Sequence, residues 1–193
     1  MKIQKISADM QAVSRWSGGT TTQLAISPAN ALYADREFLW RVSSAVVELP
    51  ESDFTPLPDY DRILMILEGE LTLSHDGGEE YTLCALDQTS FDGASRTFSR
   101  GRVTDFNLMM RKGRCSGRVE ARVLNGENWN NTLSNEYSAH LLYCIAGGVE
   151  VTAGGECLSL RKGEAVLLER SGTAENCSLS GEAVVVLAEM RCV

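Results

Sequence analysis

Polar side chains alternate with apolar ones in two segments of the chain, and these polar positions are the first candidates for chemistry. In the first segment, Arg41 and Ser43 share one face of a predicted strand, because successive side chains of a strand point to opposite sides. In the second segment the same repeat groups Asp105, Asn107 and Arg111. A guanidinium, an amide and a carboxylate could fix a small polar ligand at a barrel mouth. The alternative is that both faces point to solvent.

An N-terminal segment, Trp16-Ser-Gly-Gly-Thr-Thr-Thr-Gln23, is the next candidate because it combines glycines, hydroxyls and an aromatic ring. Glycines let the backbone approach a ligand closely, so free N–H groups could bind an anion. No lysine follows the glycines and no helical pattern begins after them, so the segment is not a phosphate-binding P-loop. The alternative is an ordinary turn before a strand that begins near Gln23, and the spacing alone favours the turn.

Short β-type runs, separated by clusters of Gly, Asp and Asn, would position these residues. No long amphipathic helical pattern competes with the runs, and Asp76-Gly77-Gly78 and Ala153-Gly154-Gly155 are hairpin-turn signals. The sequence therefore predicts an all-β protein. The predicted strands are Glu37–Leu49, Arg62–Ser74, Tyr81–Leu83, Gln88–Phe91, Val103–Arg111, Arg118–Asn125, His140–Thr152, Cys157–Leu160, Ala165–Glu169 and Ala183–Met190.

An internal repeat organises the strands. The segment Arg62–Leu73 aligns with His140–Val151, with matching apolar runs and with Gly69 and Gly147 at the same position. In each half, a strand, a Gly-rich turn and further short strands follow one another. This pattern is typical of the cupin jelly roll, whose double sheet needs evenly spaced strands and tight turns.

The repeat predicts a bicupin, in which two jelly-roll-like β-barrel lobes are packed as one compact unit. The N-terminal segment and first lobe would occupy residues 1–112, and the second lobe would occupy residues 113–193. Because two fused lobes already form an intramolecular pseudo-dimer, we expect a monomer, with a homodimer through an exposed edge strand as the alternative.

The histidine content argues against a His-rich metal centre. Metal-dependent cupins carry two histidines two residues apart, a glutamate soon after them and a third histidine near the end of the barrel. This chain has two histidines altogether, His75 and His140, and no His-x-His. We therefore predict no metal and no cofactor. Carboxylates could hold a weak hard cation, but nothing in their spacing requires one.

Charge and composition exclude several classes of function. With 18 Lys+Arg against 26 Asp+Glu, the formal net charge is −8, which repels nucleic acid and anionic membranes. No apolar leader or bilayer-spanning run occurs, so we expect a cytoplasmic protein without a membrane partner. The six cysteines show no metal-binding spacing, and we expect them to be reduced core thiols, with a disulfide framework as the alternative.

Six motifs along residues 1–190 belong together. They are Trp16-Ser-Gly-Gly-Thr-Thr, Phe38-Leu-Trp-Arg-Val-Ser-Ser-Ala, Phe54 through Tyr60-Asp-Arg62, Glu68-Gly69, Phe91-Asp-Gly93 and Asp105-Phe-Asn-Leu-Met-Met-Arg111. The set resembles the HutD/Ves family of bacterial bicupins, most closely its stress-associated Ves branch. This resemblance implies a bicupin without an established enzymatic activity. It also implies a ligand, since HutD has been suggested to bind a histidine-utilisation carboxylate, such as urocanate or formylglutamate, and so to moderate flux.

The resemblance further implies a pocket built from the N-terminal segment and the first lobe. The chain departs from its relatives at Ser17 and Gln23, where they usually have a longer glycine/asparagine stretch and an acidic residue. Loss of that carboxylate removes a candidate acid or base from this segment. The implied pocket residues are Trp16, Gly18, Gly19, Thr20, Arg41, Ser43, Arg62, Phe91, Asp92, Asp105, Asn107 and Arg111.

Three functions follow from these residues. The first, which we favour, is a metal-independent binding protein with a regulatory role that clamps a small carboxylate with Arg41, Arg62 or Arg111. The second is a metal-independent cupin isomerase or hydrolase with Asp92 or Asp105 as general base, which requires a raised carboxylate pKa in a partly dry pocket. The third is a structural or interaction protein in which the arginines only satisfy buried carboxylates.

Overall fold

The computed structural model describes residues 1–170 and 175–193, and the regular structure in these ranges consists of strands and two short 310 helices, Ala8–Met10 and Tyr33–Asp35. The all-β prediction is confirmed. None of the described helices is long and apolar enough to cross a membrane. The strands are β1 (Lys2–Ile6), β2 (Ala12–Trp16), β3 (Gly19–Ser27), β4 (Trp40–Val47), β5 (Glu51–Asp53), β6 (Tyr60–Gly69), β7 (Leu71–His75), β8 (Tyr81–Leu83), β9 (Gln88–Asp92), β10 (Thr97–Arg100), β11 (Val103–Arg111), β12 (Cys115–Asn125), β13 (Trp129–Leu133), β14 (Ala139–Ala153), β15 (Glu156–Arg161), β16 (Ala165–Glu169) and β17 (Glu175–Cys192).

The chain divides into two compact units. The first unit is Ala12–Ser116, and the second unit combines Met1–Gln11 with Gly117–Val193. The sequence prediction groups the N-terminal segment with the first lobe, as residues 1–112. In the structure, Met1–Gln11 belongs to the second unit, because β1 pairs antiparallel with β16, a strand of that unit.

The first unit contains two antiparallel sheets. Six strands lie in the order β2-β3-β4-β11-β6-β9, and four lie in the order β5-β10-β7-β8. Apolar side chains of both sheets pack together, including Leu64 and Ile66 from β6 and Leu71 and Leu73 from β7. Each buried side chain of this size contributes about 1.5–3 kcal/mol by leaving water, so this cluster holds the two sheets together.

The register of β4 and β11, at the centre of the six-stranded sheet, decides which side chains share a face. Ser43 lies opposite Asn107, and Ala45 lies opposite Asp105. Arg41 is two residues from Ser43 and therefore points to the same side. The two-residue repeat predicted from the sequence is observed, and it gathers polar side chains from two neighbouring strands onto one face.

The second unit is built on one seven-stranded sheet. Its order is β1-β16-β14-β17-β12, with β13 paired to β17 and β15 paired to β14. The long strands β14 and β17 run antiparallel through its centre. Its core is apolar and includes Leu142, Val166, Val185 and Leu187.

Gly69 and Gly147, the glycines that mark the repeat, have the same backbone conformation and the same kind of close backbone contact in the two units. Both residues have a positive φ, 91° at Gly69 and 71° at Gly147. A Cβ at Gly69 would lie 2.7 Å from the carbonyl oxygen of Arg102, and one at Gly147 would lie 2.0 Å from that of Glu182. Only glycine fits a position that combines this conformation with this crowding. The repeat predicted from the sequence is therefore a repeat of the fold.

Two predicted segments have different boundaries in the structure. The predicted strand Arg62–Ser74 is divided between β6 and β7, which separate at Glu70. The segment that begins at Trp16 contains the turn that the spacing favoured, but the strand after the turn begins at Gly19 and not near Gln23. The turn is that of the hairpin formed by β2 and β3, since Trp16 ends the first strand and Gly19 begins the second.

The cysteines fall into two groups. The free thiols among the described residues are Cys84, Cys144, Cys157 and Cys177. Cys115 and Cys192 are disulfide-bonded, so the prediction of six reduced thiols is wrong for these two. Spacing along the chain could not show this, because disulfide pairing depends on which cysteines the tertiary fold brings together.

Candidate functional site

A cavity of about 250 Å³ lies on the polar face of the six-stranded sheet, within the first unit. Its wall takes Arg41 and Ser43 from β4, Asp105 and Asn107 from β11, and Arg62 from β6. This size suits a small molecule rather than a polymer. The other lining residues are Ser14, Trp16, Thr21, Tyr33, Arg36, Ala45, Val47, Ser52, Asp53, Phe54, Thr55 and Met109.

Arg41 is held rigidly in the cavity wall. Its Nε donates a hydrogen bond of 2.8 Å to Gln23 Oε1, and its Nη1 donates one of 3.2 Å to Ser43 Oγ. The guanidinium carbon lies 4.2 Å from the centre of the Tyr33 ring. Burial lowers the pKa of Arg41, and the nearby charge of Arg36 adds to this effect. An arginine starts from a pKa above 12, so Arg41 remains a cation at neutral pH.

Arg62 is a second buried cation. Its guanidinium carbon lies 5.0 Å from the ring centre of Phe54 and 5.2 Å from that of Phe91. Burial lowers its pKa to about 10, with the carboxylate of Asp105 acting in the opposite direction. The Nε atom has no hydrogen-bond partner. Arg62 therefore brings a positive charge and an unused donor to the cavity.

Asp105 is the buried carboxyl group of the site, with 4% of its surface exposed. Burial raises its pKa to about 7, although the charge of Arg62 and the backbone N–H of Ala45 act to lower it. Its Oδ1 atom has no hydrogen-bond partner. Near neutral pH the group is present in both its protonated and its ionised form, which is the condition for a proton donor or acceptor.

Buried polar atoms without partners are concentrated at this cavity. Seven described side chains carry such an atom, and four of them line the cavity. Each orphaned atom costs roughly 1–3 kcal/mol, so folded proteins retain few of them without a functional reason. Two of the four atoms are donors and two are acceptors: Arg36 Nη1, Arg62 Nε, Asp105 Oδ1 and Asn107 Oδ1.

The glycines of the N-terminal motif lie outside the cavity. A Cβ at Gly18 would lie 2.0 Å from the Trp16 ring, and one at Gly19 would lie 1.9 Å from a backbone carbonyl oxygen of β4. Their role is close packing, with Gly18 lying against the indole that lines the cavity. Thr20 does not line the cavity, whereas Thr21 does, because neighbouring side chains on β3 point to opposite faces.

Asp92 also lies outside the cavity, at the exposed end of β9. Its Oδ1 accepts hydrogen bonds from Lys112 Nζ and from the backbone N–H of Ala94. These bonds, with the Lys112 bond as the larger cause, lower the pKa of Asp92. An exposed, ion-paired carboxylate that closes a turn has no contact with the candidate site, so Asp105 is left as the carboxyl group of interest.

Phe91 and Arg111 support the site from outside it. Phe91 packs against the cluster between the sheets and lies beneath the Arg62 guanidinium. Arg111 Nη1 donates to the carbonyl oxygen of Arg36 at 3.0 Å and contacts the Tyr60 hydroxyl at 3.3 Å. Arg111 therefore positions the backbone of Arg36 and does not line the cavity itself.

Tyr33, Arg36 and Phe54 are among the eleven lining residues that the sequence analysis missed. Tyr33 and Arg36 belong to the short 310 helix and its C-terminal end, where no strand periodicity marks a side chain as inward-facing. Arg36 adopts a left-handed conformation, φ 56°, which is uncommon for a residue other than glycine. Phe54 occurs in one of the family motifs, and that was the available signal.

The donor set of the cavity does not fit a metal ion. Three guanidinium groups line the cavity with one buried carboxyl group, Asp105, and one exposed carboxyl group, Asp53, so positive charge predominates and disfavours a cation. Within the described ranges, no group of three or more His, Cys, Asp or Glu side chains could hold a metal ion. His75 is hydrogen-bonded to Thr97 and Tyr81, and His140 belongs to the second unit.

Solved structures of similar fold were found among bacterial proteins. A conserved protein of unknown function from Pseudomonas aeruginosa PAO1 superimposes with a TM-score of 0.85 at 24% identity, covering 98% of this chain and 99% of that one. HutD from Pseudomonas fluorescens SBW25 gives a TM-score of 0.78 at 22% identity, covering 98% and 100%. A nickel(II) complex of the pirin YhhW from Escherichia coli gives 0.67 at 12% identity over both full chains. These likenesses confirm the cupin-like fold.

Sequence relatives define the family. Protein Ves of Cronobacter sakazakii is 32% identical over 114 residues, which cover 55% of this chain and 60% of that protein. The chain thus matches somewhat less than two thirds of the length of this relative. The HutD family matches residues 7–187, nearly the whole chain. The chain therefore belongs to the HutD family.

Proposed function

We propose that this protein binds a small carboxylate in the cavity of its first unit and acts as a metal-independent regulator. The observation that carries the proposal is the convergence of Arg36, Arg41 and Arg62 on a cavity that also holds four orphaned polar atoms. The whole chain is acidic, at −8, so three cations in one small cavity are a local exception to its charge. A planar guanidinium matches the geometry of a carboxylate and binds it with two parallel hydrogen bonds.

The geometry favours binding because the site is largely formed in advance. Arg41 is already fixed by Gln23 and Ser43, so little side-chain freedom would be lost when an anion binds it. Arg36 Nη1 and Arg62 Nε are donors without partners and can be satisfied by ligand oxygens. Trp16, partly exposed at the cavity wall, offers an apolar surface to the rest of the ligand.

The family directs the search for the ligand. Because the chain belongs to the HutD family, carboxylates of histidine utilisation, including urocanate and formylglutamate, are the first compounds to test. The similarity to a Ves protein makes a stress-related setting the alternative physiological context.

A thermal-shift screen of small carboxylates tests the proposal. A ligand present at 100 times its Kd stabilises the native state by about 2.7 kcal/mol, which corresponds to roughly 5–10 °C for a chain of this length. We expect Arg41→Ala to abolish the shift. Arg100→Ala is the matched control, because Arg100 is half exposed, pairs with Glu51 and Glu80 and lies outside the cavity. Absence of a shift with every carboxylate tested would overturn the proposal.

A catalytic function is the second candidate, and Asp105 is the observation that favours it. A buried carboxyl group with a pKa of about 7 and an unpartnered oxygen in a cavity has the properties of a general base. Such an enzyme, an isomerase or a hydrolase, would convert the bound carboxylate. Turnover that is lost in Asp105→Asn while binding is retained would establish it, and an unchanged ligand after prolonged incubation would exclude it.

A further inference from the structure

We propose that the carboxylate ligand binds together with one proton, which Asp105 holds against it. The inference rests on the proposed function and concerns the same cavity. It adds a stoichiometry: each ligand anion is bound beside one proton, which is taken up from solvent wherever Asp105 is ionised before binding, and a carboxylic acid group of the protein becomes part of the binding surface.

The positions of Asp105 and Arg62 are the geometric basis. Both side chains are buried, at 4% and 6% exposed, and both line the cavity. Arg62 Nε and Asp105 Oδ1 each lack a hydrogen-bond partner, so these two atoms do not satisfy each other. Asp105 has a backbone hydrogen bond from Ala45 and the charge of Arg62 to support its ionised form. Each of the two groups therefore has an atom available to a ligand oxygen.

A carboxylate bound by Arg62 would place a second negative charge beside Asp105. Two carboxylates close together in a poorly hydrated site raise the pKa of one of the pair, so that the pair can share one proton. Arg62 is the cation that acts on the carboxyl group, and a ligand that binds it competes directly with ionised Asp105. The other charged or titratable groups that line the cavity are Arg41 on β4, Arg36 and Tyr33 near the short 310 helix, and the exposed Asp53 on β5.

The proton balance is simple. Ionised Asp105, one solvent proton and the ligand carboxylate give a protonated Asp105 whose O–H donates a hydrogen bond to the ligand oxygen. Burial already raises the pKa of Asp105 to about 7, so this proton is taken up from neutral water at small cost. Above pH 7 binding must take up the proton, and affinity falls as the pH rises. Below pH 7 the proton is already present, and affinity becomes constant.

Isothermal titration calorimetry on the full chain between pH 6.0 and 8.5 tests the inference. Glutarate and acetate are titrated in parallel. Each titration is repeated in two buffers of different ionisation enthalpy, so that proton uptake is measured directly. We expect Kd to rise about tenfold per pH unit above pH 7, and uptake to approach one proton per ligand at pH 8.5.

Three variants locate the proton. Asp105→Asn keeps the size of the side chain but cannot take up a proton, so we expect its Kd to be independent of pH. Asp53→Asn tests the other carboxyl group that lines the cavity, and Asp92→Asn tests an exposed carboxyl group outside it. Both variants should keep the pH dependence of the unmodified protein.

The two proposals fail in distinguishable ways. Absence of saturable binding of either probe at pH 6.0 would overturn carboxylate binding and this inference with it. Saturable binding with the same Kd at pH 6.0 and 8.5, or a pH dependence that survives in Asp105→Asn, would overturn the proton coupling and leave the proposed function standing.

Discussion

Each of the two units has its own pair of long central strands, β6 and β11 in the first and β14 and β17 in the second. The pair carries side chains of a polar cavity in the first unit and of an apolar core in the second. In the first unit, β6 and β11 place Leu64 opposite Asn107. In the second, β14 and β17 place Leu142 opposite Leu187. Leu187 therefore occupies the position that Asn107 occupies in the first unit, and it is buried in the core.

The position of Asp105 follows the same rule. Ile66 lies opposite Asp105, and its counterpart Cys144 lies opposite Val185. In both units the register of the strand pair shifts directly after this position. A buried carboxyl group in one unit is thus replaced by a fully buried valine in the other. The same strand pairing therefore accepts either polar or apolar side chains at these positions. The residue types at a few inward-facing positions decide whether a unit holds a polar cavity or an apolar core.

Among its described residues, the second unit also contains two buried polar side chains, His140 and Glu189, and these are paired with one another, although His140 Nε2 has no hydrogen-bond partner. His140 and Glu189, which lie directly opposite each other, form a hydrogen bond of 3.0 Å between Nδ1 and Oε1. Arg118 donates to the other carboxylate oxygen of Glu189. Burial raises the pKa of Glu189, but the two partners outweigh it and the pKa is lowered. Both oxygens of the Glu189 carboxylate accept hydrogen bonds from protein side chains, whereas Asp105 Oδ1 has no hydrogen-bond partner.

A carboxylate placed in the apolar core of the second unit should have the largest effect on the free energy of unfolding. Val185→Asp buries a charge that has no partner in an apolar core, and we expect a loss of about 4–5 kcal/mol in the free energy of unfolding. Urea denaturation measures it. Val123→Asp is the control, because Val123 is 58% exposed and should change stability by less than about 1 kcal/mol. Equal effects of the two substitutions would contradict the contrast between the units.

Replacing the carboxyl group of Asp105 in the first unit should change the free energy of unfolding by a smaller amount and in the opposite direction. The pKa of Asp105 is about 7 when folded and near 3.9 when unfolded, so the native state binds the extra proton between these values. Its contribution to stability is present below pH 3.9 and is lost as the pH rises to 7, by at most about 1.4 kcal/mol per pH unit. We expect Asp105→Asn to remove this slope and to be more stable at pH 8 by roughly 2–3 kcal/mol.

Denaturation at several pH values checks the Asp105→Asn prediction. Asp92→Asn is its control, because Asp92 is exposed and its pKa is lowered rather than raised, so the downward slope between pH 4 and 7 should remain. A destabilised Asp105→Asn at pH 8 would mean that Asp105 is ionised and well paired, and the contrast with Glu189 would disappear.

Breaking the paired cluster of the second unit should cost about 2 kcal/mol. Glu189→Ala removes the carboxylate that accepts from His140 and Arg118, and hydrogen bonds to a charged group contribute about 1.5–3 kcal/mol. Chemical denaturation at pH 7 measures the loss. Glu182→Ala, at an exposed position of the same strand, should change stability by no more than about 0.5 kcal/mol. A Glu189→Ala variant as stable as the control would show that the cluster is not a stabilising one.

Much of the fold was predictable because strand periodicity and glycine turns are local signals. The repeat of Gly69 and Gly147, the two-residue alternation around Arg41 and Ser43, and the grouping of Asp105 with Asn107 were all read from neighbouring residues, and the structure shows each of them. Arg41, Ser43, Asp105 and Asn107 form much of the cavity wall.

The misplacements have a common cause. Thr20 was named from the family motif, which does not show which of the threonines faces the cavity, and a shift of one residue reverses the face of a strand. Asp92 was chosen because its motif does not reveal the salt bridge to Lys112. Tyr33 and Arg36 were missed because their segment has no periodicity. In each case the deciding contact lies outside the local pattern.

The strand content, the repeat, the family and the polar alternation of two strands could be read from the sequence, since each is carried by short segments of neighbouring residues. Which polar groups meet depends on the tertiary structure. Asp105 and Arg62 are 43 positions apart in the numbering, yet they line one cavity, and both owe their altered pKa first to burial. Burial depends on the neighbours that the folded chain supplies, which no local pattern contains.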